Sequence, residues 1–242
     1  MIEASEGWLL GGRLRYRQPR EGFRSGIEPV LLAAAVPAEV DSHVLEGGTG
    51  AGAGLLCLAA RVAGVRGLGV EQDAGLAALA RENLAANGFA GISVAVGDIR
   101  APRLAAGRQF DHAFANPPWH AASVTAPTHP GRVAAKQGGE TLGAWIVALA
   151  RRLRRRGTLA LILPAALVPT ALAAAGAAGC GSTQLFPLWP REGRPAKLVL
   201  MRVTRAGQGP LRLLAGLVLQ GPDGRSTTAA EAVLRGGAAL GF

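Results

Sequence analysis

The chain has 242 residues, 49% of them hydrophobic and 17% charged, with a formal net charge of +10. This length suits one large domain, or one domain with additions, and the composition allows it to bury a full core. No apolar run reaches about 18 residues without a break, so we expect no membrane-spanning helix.

Location and partners follow from charge and cysteine content. The first seven residues are acidic and do not resemble a signal peptide, and two cysteines do not form a disulfide framework, so we expect a cytoplasmic protein. Lys136 and Lys197 are the only lysines, so arginine carries nearly all of the positive charge. This charge favours a polyanionic partner such as RNA, although a chain so rich in Ala, Gly, Pro and Leu is also consistent with a bias of genome composition.

The N-terminal region begins with a predicted hairpin. Residues 8–17 form two strand-like runs around a Gly-Gly pair, and three arginines alternate with apolar residues on the second run. These are Arg13, Arg15 and Arg17. Their shared face suits contacts with phosphates. Alternatively, the charges keep a solvated edge strand from pairing with another chain. A helix is expected from about Pro29 to Val36.

A strand, a glycine-rich loop and a helix follow. The strand covers residues 43–46, the loop runs from Glu46 to Gly54, and the helix covers residues 55–61. Glycines let a ligand approach the loop backbone, and the start of a helix offers unpaired N–H groups.

Acidic residues end the next two predicted strands. Glu71 follows strand 67–70, where a carboxylate can accept both hydroxyls of a ribose. After a helix at residues 74–87, Asp98 follows strand 92–96. Asp98 suits the amino group of an adenine, or it caps the following turn.

The fourth strand, residues 110–115, stops at Asn116-Pro117-Pro118-Trp119. Two prolines fix φ and remove two backbone donors, so neither strand nor helix continues. Asn116 is thereby placed at the carboxyl end of a strand, where α/β sheets bind ligands. An amide can accept a hydrogen bond from a flat amino group, and an aromatic ring can stack on it. The alternative is a tight turn with a packing tryptophan.

The rest of the chain continues the α/β pattern. Residues 120–140 form a long loop whose histidines lack metal-ligand spacing, and helix 141–155 ends in an arginine run that suits a helix C-terminus or an RNA patch. A strand at 158–163 and a helix at 165–178 precede an antiparallel pair at 182–188 and 196–203. A strand at 211–220 and a helix at 228–235 complete the chain. The alternation predicts a parallel sheet with helices on both faces.

These motifs resemble those of a known family. Glu46 to Gly52 is similar to motif I of class I S-adenosylmethionine-dependent methyltransferases, and Glu71 and Asp98 match the acids after strands two and three. The Asn-Pro-Pro-Trp element matches the (Asn/Asp/Ser)-Pro-Pro-(Tyr/Phe/Trp) motif of small-domain enzymes that methylate amino groups. A hydride-transfer fingerprint also nearly fits the glycine loop, but that chemistry has no natural use for an amide-Pro-Pro-aromatic element. Gly47 departs from the pattern, since a large apolar residue is usual there and its absence is expected to soften the loop.

A looser resemblance extends beyond this core. Residues 16–19, 23–32 and 211–237 are similar to bacterial adenine-N6 methyltransferases that act beside the anticodon of a valine tRNA. Glu28 and Trp119 differ from the commoner Asp and Tyr. The resemblance implies a Rossmann-like, seven-stranded, mostly parallel sheet with an antiparallel last strand. It also implies a cover at residues 1–42, a cofactor-binding core at 43–205 and an extension at 206–242.

The resemblance further implies the roles of individual residues. The methyl donor would be S-adenosylmethionine, Asn116 and the Pro117 carbonyl would orient the target amine, and Trp119 would stack on the base. RNA contacts would fall on Arg13, Arg15, Arg17 and Lys136, with no metal. The residues that would bind the cofactor are Glu46, Gly48, Gly50, Gly52, Glu71, Asp98 and Asn116.

The expected activity is N-methylation of a base amino group in RNA, and the preferred target is adenine N6 of a tRNA. The alternatives are guanine N2 in rRNA, the side-chain amide of a protein glutamine, and a catalytically idle binding module. Glutamine methyltransferases usually carry an N-terminal helical domain. The core of this chain starts at about residue 43, which leaves no room for such a domain and favours RNA.

Overall fold

A computed structural model describes residues 3–21, 25–101, 104, 107–118 and 141–242. The predicted N-terminal hairpin is present. Strands β1 (Ala4–Leu9) and β2 (Leu14–Pro19) pair antiparallel around a 3₁₀ turn at Leu10–Gly12. Leu14 and Tyr16 are buried, whereas the three alternating arginines are exposed, as the period of two requires.

The central region alternates strands and helices. Its first part comprises α1 (Glu28–Ala35), β3 (His43–Gly47), α2 (Ala53–Arg61), β4 (Arg66–Glu71), α3 (Ala74–Ala86), β5 (Ile92–Val96) and β6 (Phe110–Ala115). Its second part comprises helix α4 at residues 141–150, β7 (Leu153–Pro164), α5 (Val168–Ala177), β8 (Cys180–Arg191) and β9 (Leu198–Arg205).

These strands form one sheet in the order β5-β4-β3-β6-β7-β9-β8. The first five are parallel to their neighbours, and β9 runs antiparallel to both β7 and β8. The Rossmann-like fold class, with its mostly parallel sheet and antiparallel closing pair, is therefore confirmed.

Alternate residues of the central strands enter two separate cores. Phe114 and Ile162 pack with α1, α2 and α3 on one face, whereas Ala113 and Leu161 pack with α4 and α5 on the other. A strand segment buried on both faces needs apolar residues at every position, which explains the apolar runs at residues 113–115 of β6 and 159–163 of β7.

The C-terminal region extends the sheet beyond β8. Two short strands, β10 (Arg212–Leu213) and β11 (Leu217–Gln220), pair parallel with β8, and helix α6 (Thr228–Leu234) packs against α1. Gly216, with φ +83°, lies between the two strands where a single strand was expected. No helix in the described part of the chain has the length and apolarity that crossing a bilayer requires.

The arginine run at residues 151–156 does not end a helix, so that prediction was wrong. Helix α4 ends at residue 150, and β7 already starts at Leu153, where it pairs with Phe110 of β6. Arg154 forms an ion pair with Asp111 (2.7 Å). The guanidinium of Arg152 donates to the carbonyl oxygens of Ala148, Ala101 and Leu104 (2.7–2.8 Å) and so ties α4 to the loop after β5.

Substitution of Arg152 tests this structural role. Arg152→Ala should lower the free energy of unfolding by about 1.5–3 kcal/mol, because it removes charge-assisted hydrogen bonds to three carbonyl groups. Arg155→Ala, at an exposed position in the same run, is the control and should change stability by less than about 0.5 kcal/mol. Urea denaturation measures both, and equal effects would contradict the assignment.

Candidate active site

The order of strands reverses between β3 and β6, which are adjacent although β4 and β5 separate them in sequence. Gly47 and Ala115, the last residues of these strands, are partners in the register. Gly48 and Asn116 therefore leave the sheet side by side. In an α/β sheet, this switch point is where ligands bind.

The glycine loop is built around the buried carboxyl group of Glu46, which is 5% exposed. Its Oε2 accepts a hydrogen bond from Thr49 Oγ1, and the backbone N–H of Leu55, in the first turn of α2, also hydrogen-bonds to the carboxyl group. A Cβ atom at Gly54 would overlap Glu46 Oε1, so glycine is required for this close approach. Burial raises the pKa of Glu46 to about 8.

The space left by Gly47 is filled by an aromatic side chain. A Cβ at Gly47 would lie 3.3 Å from Trp145 of α4, and one at Gly48 would lie 2.7 Å from its ring. Trp145 is buried. Ile99 and Leu149 come equally close to the Gly47 position (3.3 Å), so apolar side chains occupy the space of the usual large residue of motif I, and the softer loop stays a prediction.

Glu71 and Asp98 occupy the expected strand ends. Glu71 Oε2 accepts from the backbone N–H of Gly50 (2.9 Å), and Oε1 accepts from that of Asp73 (3.0 Å). Asp98 accepts from the guanidinium of Arg100 at 2.6–2.9 Å, and these hydrogen bonds hold its pKa below the ordinary value. Glu71 keeps further lone pairs for a ligand, whereas Asp98 also accepts from the backbone N–H of Arg100 (2.8 Å) and from the side chain of Gln72, so its acceptor sites are largely taken.

The N-terminal hairpin covers the glycine loop through asparagines of α3. Asn83 exchanges two hydrogen bonds with the backbone of Arg17 (2.8 and 2.9 Å) and also donates to the carbonyl of Ala51 (2.8 Å). Asn87 pairs in the same way with the backbone of Arg15. These two side chains thus act as a neighbouring strand for β2 and fix it over the loop.

A pocket forms between the hairpin, the loop and Asn116. Among the residues predicted to bind cofactor, it brings together Glu46, Gly48, Gly50 and Asn116. Glu71 contacts the loop from the side, and Gly52 packs against Ala80 of α3. Asp98 does not line this pocket. Asn116 is half-buried, Pro117 is buried and Pro118 is exposed.

Several residues of this pocket were not singled out from sequence as site residues. Tyr16 and Ser25 line it, and their hydroxyl groups hydrogen-bond at 2.7 Å. Burial raises the pKa of Tyr16 to about 12, so the phenol stays protonated at neutral pH. The only available signal was the looser family resemblance at residues 16–19 and 23–32, since neither residue belongs to the glycine loop or to the Asn-Pro-Pro-Trp element.

Three candidate RNA-binding residues, Arg13, Arg15 and Arg17, lie outside the pocket. Arg13 donates to the carbonyl of Gly236 (2.7 Å), Arg17 forms an ion pair with Glu82 (2.8 Å), and Arg15 is exposed. Trp119 and Lys136 fall outside the described residues. Within the described ranges, no group of three or more His, Cys, Asp and Glu side chains could hold a metal ion.

Comparison with known proteins identifies the class. A family model for the methyltransferase small domain matches residues 28–165, more than half of the chain. The chain therefore belongs to the methyltransferase small domain family, and it is an S-adenosylmethionine-dependent methyltransferase.

Two curated relatives match most of the chain. One from Actinobacillus succinogenes is 30% identical and aligns over 68% of this chain and 70% of its own length. Another from Dickeya chrysanthemi is 27% identical over 89% of this chain and 88% of its own. Both are named tRNA1(Val) (adenine(37)-N6)-methyltransferase.

Solved structures share the fold. A predicted O-methyltransferase from Agrobacterium tumefaciens has a TM-score of 0.72 at 24% identity, covering 88% of this chain and 97% of that one. A 16S rRNA N2 G1207 methyltransferase from T. thermophilus, solved with AdoMet and guanosine, has a TM-score of 0.57 at 20% identity. The match covers 84% of this chain and 50% of that one.

The glycine loop and its surroundings offer the kinds of hydrogen-bonding groups that S-adenosylmethionine requires. Gly50 has φ +55°, and a Cβ there would meet nothing within 4 Å, so its backbone borders open space. Glu71 lies beside it, where it would accept ribose hydroxyls, and the start of α2 would offer N–H groups to a carboxylate. The residues present therefore fit this cofactor.

The raised pKa of Glu46 predicts a distinctive pH dependence. Between pH values of about 4.5 and about 8, the folded chain keeps a proton on Glu46 that the unfolded chain has released. The stability contributed by this protonation is complete below the unfolded pKa and is lost as pH rises through the folded pKa. The free energy of unfolding of the wild type, measured relative to Glu46→Gln, should therefore fall across this window, by up to about 1.4 kcal/mol per pH unit. Urea denaturation at several pH values checks this, and parallel curves would contradict it.

Proposed function

We propose that this enzyme transfers a methyl group to an exocyclic base amino group in RNA, with adenine N6 of a tRNA as the preferred target. The observation that carries the proposal is the placement of Asn116-Pro117-Pro118 beside the glycine loop, fixed by the register of β6 with β3. An amide held next to the cofactor loop is suited to orienting a planar amine.

The curated relatives support the choice of substrate. Those from Actinobacillus succinogenes and Dickeya chrysanthemi are named for adenine-N6 methylation of tRNA1(Val). The second aligns over 89% of this chain and 88% of its own length, although at modest identity. The net charge of +10 is consistent with a polyanionic substrate.

We assign the orientation of the amine to Asn116 and Pro117. When bound, S-adenosylmethionine supplies an electrophilic sulfonium methyl group. The side-chain oxygen of Asn116 and the carbonyl oxygen of Pro117 would each accept a hydrogen bond from the target N–H₂. The two prolines restrict the backbone of this segment, so the Pro117 carbonyl and the Asn116 backbone have fixed directions, and two acceptors there would turn the nitrogen lone pair towards the methyl group. The bound cofactor would supply the methyl group and retain the electron pair of the broken C–S bond on its sulfur, while Asn116 and Pro117 would hold the accepting nitrogen.

No dedicated general base is assigned. The product nitrogen carries a positive charge and loses its proton readily to water. Among the described residues that line the pocket, Tyr16 is held protonated by burial, and Glu46 is directed into the glycine loop. Catalysis is therefore attributed to positioning and to exclusion of water.

The target base would have to leave its stack to reach this pocket, at a cost of a few kcal/mol. Trp119 directly follows the two prolines in sequence, and we propose that it stacks on the extruded base. Residues 1–42 would cover cofactor and base, 43–205 would form the catalytic core, and 206–242 would extend the same domain.

Substitution of Asn116 separates orientation of the amine from cofactor binding. Asn116→Ala should lower kcat by about 10²–10³-fold, because one positioned acceptor is lost. The dissociation constant for S-adenosylmethionine, measured by calorimetry, should change less than about threefold. Asn116→Asp retains an acceptor and is the matched control with the smaller loss. If cofactor affinity falls as far as kcat, the assignment is wrong.

The substrate class is tested by transfer of a labelled methyl group to separate tRNA, rRNA and protein fractions. The proposal expects label in tRNA. Label confined to rRNA would indicate the guanine-N2 alternative, and strong labelling of protein without tRNA would indicate a glutamine amide. Cofactor binding without any transfer would indicate an idle module.

A further inference from the structure

The hairpin between β8 and β9, residues 189–197, lies at the same edge of the sheet as Asn116. Leu198 at the start of β9 pairs with Pro164 at the carboxyl end of β7, and Lys197 accepts a hydrogen bond from the N–H of Ala165 (2.8 Å). Strands β8 and β11, which carry Trp189 and Val218, are three and four positions from β6, which corresponds to about 14 and 19 Å across the sheet. The hairpin therefore projects beside the candidate active site.

One side of this hairpin forms a groove with an aromatic wall. Trp189, Pro195 and Val218 supply apolar surface, and Arg194 and the carboxylate of Glu192 border it. The indole Nε1–H of Trp189 donates to the carbonyl of Ala215 (2.9 Å), so the plane of the ring is fixed. A flat ligand could therefore stack without having to order the tryptophan first.

The C-terminal strands hold the groove in place. Strand β11 pairs with β8 from Leu188 to Arg191, and Arg191 Nε donates to Gln220 (3.3 Å). A Cβ at Gly216 would lie 2.9 Å from Trp189 Nε1, so this close approach requires glycine. The tail is thus built against the hairpin, and this packing preorganises the groove.

The hairpin also carries positive charge that the protein does not neutralise. Arg191, Arg194 and Lys197 are exposed, and no carboxylate of the described residues lies within ion-pair distance of them. Glu192 is the one acidic residue of the hairpin, so its formal charge is three minus one, or +2. By contrast, Arg154 and Arg155 lie near the start of β7, at the opposite edge of the sheet.

We propose that this groove is a second nucleotide site for the RNA substrate, in which an unstacked base lies on Trp189 and the phosphates on either side contact Arg194 and Lys197. This rests on the proposed RNA methyltransferase function. An aromatic face beside cationic side chains is the arrangement that binds single-stranded nucleic acid, because every base has a π-face and every linkage a negative charge. An acidic peptide would use the charges but not the flat groove.

The test measures binding of 3′-labelled unfractionated tRNA to the full chain by fluorescence anisotropy over a range of salt concentrations. Arg194→Glu should raise the Kd about tenfold and reduce the slope of log Kd against log salt by about one. Trp189→Leu should raise the Kd about fivefold or more, and Trp189→Phe, which keeps a ring, much less. Affinity for S-adenosylmethionine should not change. Where Trp189→Leu does not fold, Trp189→Phe and Arg194→Glu carry the test.

Arg155→Glu is the matched control, since it makes the same charge change at an exposed arginine on the opposite edge. Equal losses from Arg194→Glu and Arg155→Glu, or wild-type Kd in both Arg194→Glu and Trp189→Leu, would overturn the proposal. A measurement of methyl transfer by the wild type separates failure of the groove proposal from failure of the RNA methyltransferase proposal. If the wild type transfers label to tRNA but the hairpin variants bind tRNA as tightly as the wild type does, only the groove proposal is rejected. If methyl groups are transferred to protein and not to RNA, and this transfer depends on Arg194, both the groove proposal and the RNA methyltransferase proposal are rejected. The hairpin would then bind an acidic peptide.

Discussion

The site depends on one pairing, that of β3 with β6. Because Gly47 and Ala115 are register partners at the carboxyl ends of these strands, the glycine loop and the Asn-Pro-Pro element emerge together. A shift of one residue would turn every side chain of β6 to the opposite core, so burial on both faces holds the register. The two prolines then prevent the chain from continuing the strand. The proposed orientation of the target amine therefore rests on the packing of Phe114, Ala113 and Ala115.

The polar groups around this pairing mainly hold the backbone in position. Glu46 is buried beneath the loop and keeps its turn closed, Trp145 packs beneath Gly48, and Asn83 joins the loop to the hairpin. The arginines likewise have several roles: Arg152 and Arg154 stabilise the fold, whereas Arg194 is exposed near the site. A net charge therefore does not by itself locate a binding surface.

Local patterns were enough to predict the fold. Apolar runs, glycine loops and terminal acids identified the strands at the site edge, and the parallel sheet with its antiparallel closing pair followed from them. The arginine run at 151–156 was misassigned because a helix C-terminus and a strand start look alike when charged residues flank Leu153. The roles of Tyr16, Asn83 and Trp145 could not be derived, because each depends on contacts between segments far apart in the chain.

The central claim is that an exocyclic amino group receives the methyl group. Its most direct test is to incubate the enzyme with tRNA and a deuterated methyl donor, digest the RNA to nucleosides and identify the labelled product by mass spectrometry. The account predicts label in N6-methyladenosine. Label found instead on a ring nitrogen, a ring carbon or the ribose would contradict it, because Asn116 and Pro117 would then have no N–H₂ group to orient.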